Sequence, residues 1–163
     1  MHMKLNGKDK YTIGVISDTH GLLRPGAYEI LKGADLIAHA GDVGGAEILR
    51  ELEKIAPVVA VRGNTDGGNW AGGLPEEEVF EVGETLMYIR HDLHRMQIDP
   101  AGAKFDVVIT GHTHQPAVQQ KDRVLFLNPG SAGPRRFDYP VSVAILRVSG
   151  LSVSPEIIKL SNL

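Results

Sequence analysis

Cysteine is missing from all 163 residues. A disulfide framework, a Cys-ligated zinc finger, an iron–sulfur site and a thiol nucleophile are therefore excluded. No apolar run approaches the ~18 residues that a membrane span requires, so no membrane partner is expected. Aromatic residues are sparse at 6%, and 17 Lys and Arg against 20 Asp and Glu leave a net charge of only −3. No basic stripe emerges; Arg135-Arg136 is the only adjacent basic pair. Proteins that bind duplex nucleic acid carry a basic face that displaces counterions from phosphate, so that partner is not expected either. The opening stretch Met1 to Lys10 is polar and lacks the apolar centre of a secretory signal. Residues 1–163 are read as one domain, with residues 1–10 a flexible segment and a cytoplasmic setting the simplest one. Self-association is left open.

Glycine, by contrast, is plentiful at 19 residues, and its positions organise the chain. The short apolar runs Ile13–Ile16, Leu36–Ala38, Val58–Val61 and Val107–Ile109 read as buried strands. Between the first three lie helical patterns. One starts at Pro25 and stops at Gly33; the other, Ala46 to Ile55, sets Ile48, Leu49, Leu52 and Ile55 on one face before Pro57. That alternation predicts βαβ units and a mostly parallel sheet. The second half reads as strands: a hairpin of Glu78–Val82 and Thr85–Ile89, then Val124–Leu127, Val141–Val148 and Val153–Ile158. The expected architecture is α/β, with two sheets face to face and helices outside.

Each strand of the first set ends in a glycine-containing turn that carries Asp, Asn or His. In open α/β sheets, function gathers beyond the carboxyl ends of the strands. In chain order the candidates are Asp18, His20, Asp42, Asn64, His91, His112 and His114. Carboxylate, carboxamide and imidazole donors without thiolate suit divalent Mn, Fe, Zn or Ni. Spacing adds a geometric expectation. In an extended segment, residues i and i+2 point the same way about 6.6–7 Å apart. Asp18-Thr19-His20 can thus serve one ion, and His112-Thr113-His114 two ions about 3.5–4 Å apart.

At these residues the chain resembles the calcineurin-like metallophosphoesterases. The ordered motifs are Asp18-Thr19-His20, Gly41-Asp42, Gly63-Asn64-Thr65-Asp66, His91 and Gly111-His112-Thr113-His114. The opening Ile16-Ser17-Asp18-Thr19-His20-Gly21 and the later Asn128-Pro129-Gly130-Ser131 resemble the small bacterial and archaeal phosphodiesterases, whose fold the scaffold protein Vps29 shares. The likeness runs from about Tyr11 to Lys159. It implies a four-layer α/β/β/α sandwich of two mixed sheets. It further implies one ion on Asp18, His20, Asp42 and His114, and a second on Asp42, Asn64, His91 and His112, with Asp42 bridging. The implied catalytic set is Asp42, Asn64 and His112, the metals Mn²⁺ first, then Ni²⁺, Co²⁺, Fe²⁺ or Zn²⁺. The implied reaction is hydrolysis of small phosphate diesters by a hydroxide that bridges the ions. With two divalent cations, two carboxylates and that hydroxide, the site carries a local charge of about +1, which attracts a small phosphate ester. A Vps29-like scaffold that retains a metal site is the alternative.

Two positions depart from the family pattern. Thr65 stands where many members have a His that protonates the leaving group, and its hydroxyl is no useful acid near neutral pH. Asp92 replaces the glycine that usually follows His91, which keeps His94 open as the alternative ligand. His39 is expected to pack or to support a ligand rather than to be one. Asp66 either orients an imidazole or caps a turn. Asn128 to Ser131 are expected to shape the ligand loops. Arg135 and Arg136 are read as surface residues able to meet a phosphate. Trp70, among Gly67, Gly68, Gly72 and Gly73, is expected on a mobile loop, stacking on a base or filling a subunit contact. His2 is expected to be disordered.

Overall fold

A computed structural model describes residues 3–160; His2 lies outside them. The strands are β1 (Lys4–Leu5), β2 (Lys10–Ile16), β3 (Leu36–His39), β4 (Val58–Ala60), β5 (Glu77–Val82), β6 (Thr85–Arg90), β7 (Val107–Ile109), β8 (Ala117–Lys121), β9 (Val124–Asn128), β10 (Ser142–Ser149) and β11 (Ser152–Lys159). Helix α1 spans Pro25–Leu31 and helix α2 spans Ala46–Glu53. Both begin without a side-chain cap; α1 relies on Pro25, whose fixed φ suits the first turn.

Two mixed sheets result, one ordered β1-β5-β6-β7-β9-β8 and the other β11-β10-β2-β3-β4. Period-two alternation decides what each strand buries. Ile13 and Val15 of β2, Met87 and Ile89 of β6, Val107 and Ile109 of β7, and Ala144 and Leu146 of β10 fill one core between the sheets. On the outer face of the second sheet, Ile16, Ile37, Val143 and Ile145 meet Leu31 of α1 and Ile48 and Leu52 of α2. The fourth layer is thin. Tyr88, Val108 and Val124 on the outer face of the first sheet are covered by Met96, Ala103 and Phe105, in a stretch whose only helical turn is the 3₁₀ segment Leu93–Arg95.

Three details differ from the sequence reading. Lys4 and Leu5 are not a flexible lead-in: they pair in parallel with Glu81 and Val82, and Leu5 packs against the inter-sheet core. Strand β8 was not foreseen, because Ala117-Val118-Gln119-Gln120-Lys121 is exposed at every position and shows no alternation. It is joined to β9 by Asp122-Arg123, both at positive φ (51° and 68°), as a tight two-residue hairpin requires. Trp70 lies in a 3₁₀ turn, Asn69–Gly73, and packs against the helix-side core, so it is no exposed platform.

Register places the strand ends together. Ile16 pairs with His39 and His39 with Ala60 in one sheet. Ile89 pairs with Ile109 and Ile109 with Leu127 in the other. The segments that follow these strands therefore emerge side by side. Phe80, fully buried between the sheets, anchors this arrangement. Phe80→Ala should cost about 3–5 kcal/mol of unfolding free energy, read by urea denaturation of the metal-free protein.

Candidate metal centre

The loops beyond the strands are wound tightly. Five of the seven candidate ligands have left-handed backbones: Asp18 (φ 57°), His20 (47°), Asp42 (53°), His112 (73°) and His114 (65°). Each such residue costs on the order of 1–3 kcal/mol, and strain of this kind gathers at functional sites. The expected mechanism for bringing i and i+2 together is thus corrected. Strand pairing stops at Ile16 and Ile109, and turn geometry rather than the pleat directs these side chains.

All seven side chains nevertheless converge. His114 Nε2 lies 3.3 Å from Asp18 Oδ1, and His20 Nε2 lies 3.8 Å from the same oxygen. The rings of His20 and His114 stack at 5.4 Å. Asp42 Oδ2 stands between two histidines, 3.6 Å from His20 Nε2 and 3.3 Å from His91 Nε2. Asn64 Oδ1 completes the second half, 2.9 Å from His91 Nε2 and 3.2 Å from His112 Nδ1. His112 and His114 accordingly face different halves of the cluster. Donor atoms of Asp18, His20 and His114, and of Asp18, Asp42 and His91, lie within 4.8 Å of one another.

Hydrogen bonding tests whether a divalent cation fits. Asp18 Oδ1 and His20 Nε2 are buried, face the cluster, and have no hydrogen-bond partner. Leaving such atoms unsatisfied costs about 1–3 kcal/mol each, and a cation with N/O preference would satisfy both. The donor set fits.

The surroundings hold the donors in place. His91 is buried with Nδ1 2.7 Å from Ala40 O, whereas His94 is exposed on the 3₁₀ turn; His91 alone reaches the cluster. Its ring occupies the space where a side chain on Gly41 would lie, with Nδ1 2.7 Å from an added Cβ. Gly63 is required for a similar reason, since its Cβ would stand 2.1 Å from Asp42 N and Oδ1. Thr65 N–H donates to Asp42 Oδ1 at 2.9 Å. Asp66 accepts from the N–H groups of Val43, Gly44 and Gly63, so it ties two loops together and touches no imidazole.

Asn128 donates to Gly111 O at 2.9 Å and accepts from Gly130 N–H, and Ser131 Oγ donates to Asp18 O at 3.1 Å. Ser17, which the sequence reading passed over despite its place beside Asp18, donates to Asp18 Oδ2 at 2.6 Å. Also unforeseen is a cleft of about 270 Å³ beside Asn64 and His91, lined by Arg62, Arg90 and Arg95 together with Glu76 and Asp92. Its arginines come from two segments, Arg62 after β4 and Arg90 with Arg95 around His91, so no single local motif announces them.

Residues 11–150 match the calcineurin-like phosphoesterase superfamily domain, and the chain belongs to that family of divalent-metal phosphoester hydrolases. A probable metallophosphoesterase of Methanothermobacter thermautotrophicus is 36% identical over 161 residues, spanning 90% of this chain and 91% of its own. A phosphodiesterase of Methanocaldococcus jannaschii is 32% identical over 137 residues, spanning 72% and 82%. Among solved structures, Vps29 of Cryptosporidium parvum has a TM-score of 0.78 over 95% of this chain and 100% of its own, at 22% identity; the likeness is one of fold. No helix among the described residues is long and apolar enough to cross a membrane.

Electrostatics in the metal-free cluster follow from burial and proximity. Burial works against charge on Asp18, but His114, Ser17 and His91 hold its carboxyl below the ordinary range. The same opposition at Asp42 is outweighed by His91 and the Thr65 N–H, which hold it far lower. Burial favours neutral His91, yet Asp42 and Asp18 raise it above the usual imidazole value. At His20 burial prevails and lowers it.

His39, wholly buried, is pushed down to about 4 by desolvation. Its Nδ1 accepts from Gly41 N–H at 3.2 Å, so Nε2 carries the proton and donates to Thr19 Oγ1 at 2.9 Å. Thr19 in turn donates to Val43 O at 2.7 Å. Because the unfolded imidazole titrates near 6.5, the unfolded chain binds this proton more readily than the fold. His39 therefore supports the fold fully above pH 6.5, and that support is lost as pH falls toward 4. Urea denaturation of chelated protein should show about 2–3 kcal/mol lost through His39 between pH 7 and 4.5, at ~1.36 kcal/mol per unit of pKa difference. His39→Asn should flatten that decline, and equal slopes in the two proteins would refute the assignment.

Proposed function

We propose that the protein is a two-ion phosphodiesterase acting on small phosphate diesters. Asp18, His20, Asp42 and His114 hold one ion; Asp42, Asn64, His91 and His112 hold the other, with Asp42 shared. The observation that carries this reading is the convergence of all seven donors, five of them grouped around Asp18, and Asn64 with His112 joined to them through His91, with Asp18 Oδ1 and His20 Nε2 buried and unsatisfied. The phosphodiesterase name of a relative 32% identical supports the diester class. The fold likeness to Vps29 supplies no feature that favours a scaffold over a hydrolase, since a scaffold has no chemical need for these donors.

Two divalent ions bound there supply Lewis-acid stabilisation of phosphoryl oxygens and a nucleophile formed from water at neutral pH. The chain's own residues do the rest. Thr65 N–H fixes the shared Asp42 carboxylate, and Ala40 O fixes the His91 ring through Nδ1. Asn64 and His112 set the second position, beside the Arg62–Arg90–Arg95 cleft where a leaving group can lie. Asp42, Asn64 and His112 are thus assigned to catalysis as well as to binding. Mn²⁺ is the first metal to test, and a cytoplasmic single-domain enzyme is the simplest setting.

Chelated protein should be nearly inactive on bis(p-nitrophenyl) phosphate and should recover with Mn²⁺. Fewer than one ion bound per chain, with no recovery, would refute the reading. Asp42→Asn should be the most damaging of the ligand substitutions, because it weakens both positions; Asn64→Ala and His112→Ala should lose mainly one ion.

Leaving-group chemistry gives a second test. Thr65 is no acid, and both oxygens of Asp66 are engaged by backbone N–H groups. Aryl diesters should therefore turn over well, with alkyl diesters and cyclic nucleotides lagging. Thr65→His should recover part of the ~10²–10⁴-fold that general acid catalysis contributes, and mostly for poor leaving groups. The rate across esters of graded leaving-group pKa, at saturating Mn²⁺, is the measurement. A flat dependence in the unmodified protein would show that another group already donates the proton.

A further inference from the structure

Asp92 stands where the family pattern has glycine, and the reactions proposed above make no use of it. It lies between two clefts, one lined by Arg62, Asn64 and His91, the other by Thr110, Gly111 and Asn128. Its Oδ1 accepts from His94 N–H at 3.0 Å, which caps the 3₁₀ turn and limits the carboxylate's freedom. Its Oδ2 lies 3.9 Å from His112 Nε2 and equally far from Arg95 Nε. Arg95 is largely in solvent, with 75% of its side chain exposed, so it is a weak competitor for that oxygen.

Among the four candidate histidine ligands, His112 is the one that most needs orienting. Its side chain is 41% exposed, against 16% for His20, 4% for His91 and 5% for His114. Its Nδ1 faces Asn64 Oδ1, so this nitrogen is the one directed into the cluster. A neutral imidazole that gives Nδ1 to a cation must carry its proton on Nε2, and Asp92 Oδ2, 3.9 Å away, is a carboxylate oxygen that a small side-chain rotation brings within hydrogen-bond reach of it. Carboxylates placed behind histidine ligands fix the tautomer and raise ligand basicity; their removal typically costs about 10–100-fold in metal affinity.

We propose that Asp92 is a positioning residue for His112: its carboxylate receives the Nε2–H, keeps Nδ1 directed at the second metal position, and raises the affinity of that position. The inference rests on the two-ion reading of the site.

The test is calorimetric titration of chelated protein with Mn²⁺. His112→Ala first identifies which of the two affinities belongs to the second position. Asp92→Ser retains a cap for the turn but is too short to reach His112. It should weaken the second affinity by about 10–100-fold and leave the first unchanged. Asp92→Asn keeps both the cap and an acceptor oxygen without the charge, and should fall between Ser and the unmodified protein. In Zn²⁺-loaded protein, ¹⁵N–¹H spectra should show a protected His112 Nε2–H that Asp92→Ser loses. Unchanged affinities in Asp92→Ser would reduce Asp92 to a turn cap and overturn the proposal, as would an equal fall in both. Failure of the unmodified protein to bind any ion would refute the two-ion reading itself, a result distinct from either.

Discussion

Asp18 and Asp42 bring two carboxylates to one nearly dry place, with residue exposures of 0% and 3%. Like charges held together out of water repel and lose hydration, so such a pair survives only if its surroundings compensate. Most of the local structure is that compensation. Ser17 Oγ and the N–H of His112 serve one carboxylate; Thr65 N–H serves the other; His20, His91 and His114 crowd the oxygens that remain. The left-handed turns exist because donors from five loops cannot reach one point by extended chain. Their strain is sustained by the two close-packed cores beneath them and by Asp66, Asn128 and Ser131, whose side chains pin the loops to one another.

Legibility in the sequence tracked burial. Strands β2, β3, β4, β6 and β7 are apolar runs because both of their faces are covered, and such runs stand out without any alignment. β8 could not be read, since an edge strand exposed throughout leaves no pattern. β1 was hidden by its length of two residues. The thin layer over Tyr88 and Val124 escaped because 3₁₀ turns and irregular chain have no periodicity to detect.

At the site, residue identities were legible and geometry was not. Asp, Asn and His at successive strand ends are conspicuous whatever their conformation. Asp18 and His20 are neighbours in the cluster through turn geometry rather than through the pleat, and nothing local in the sequence signals that pairing stops at Ile16. The choice between His91 and His94 needed the packing of the ring over Gly41, a contact between residues 50 apart in the chain. Asp66 likewise looked equivalent as cap or ligand support until its three N–H partners, in two loops, were in view.

The donor cluster also straddles the sandwich. Asp18, His20, Asp42 and Asn64 follow strands of the five-stranded sheet, while His91, His112 and His114 follow strands of the six-stranded one. Either candidate ion position draws on both. The unfolded chain cannot present this set, so a cation taken up here stabilises the closed sandwich by RT ln(1 + [M]/Kd). Metal concentration then acts on mechanical cohesion as well as on chemistry. At this end the sheets are held by a clasp whose strength depends on the medium, in addition to the apolar core that packs between them.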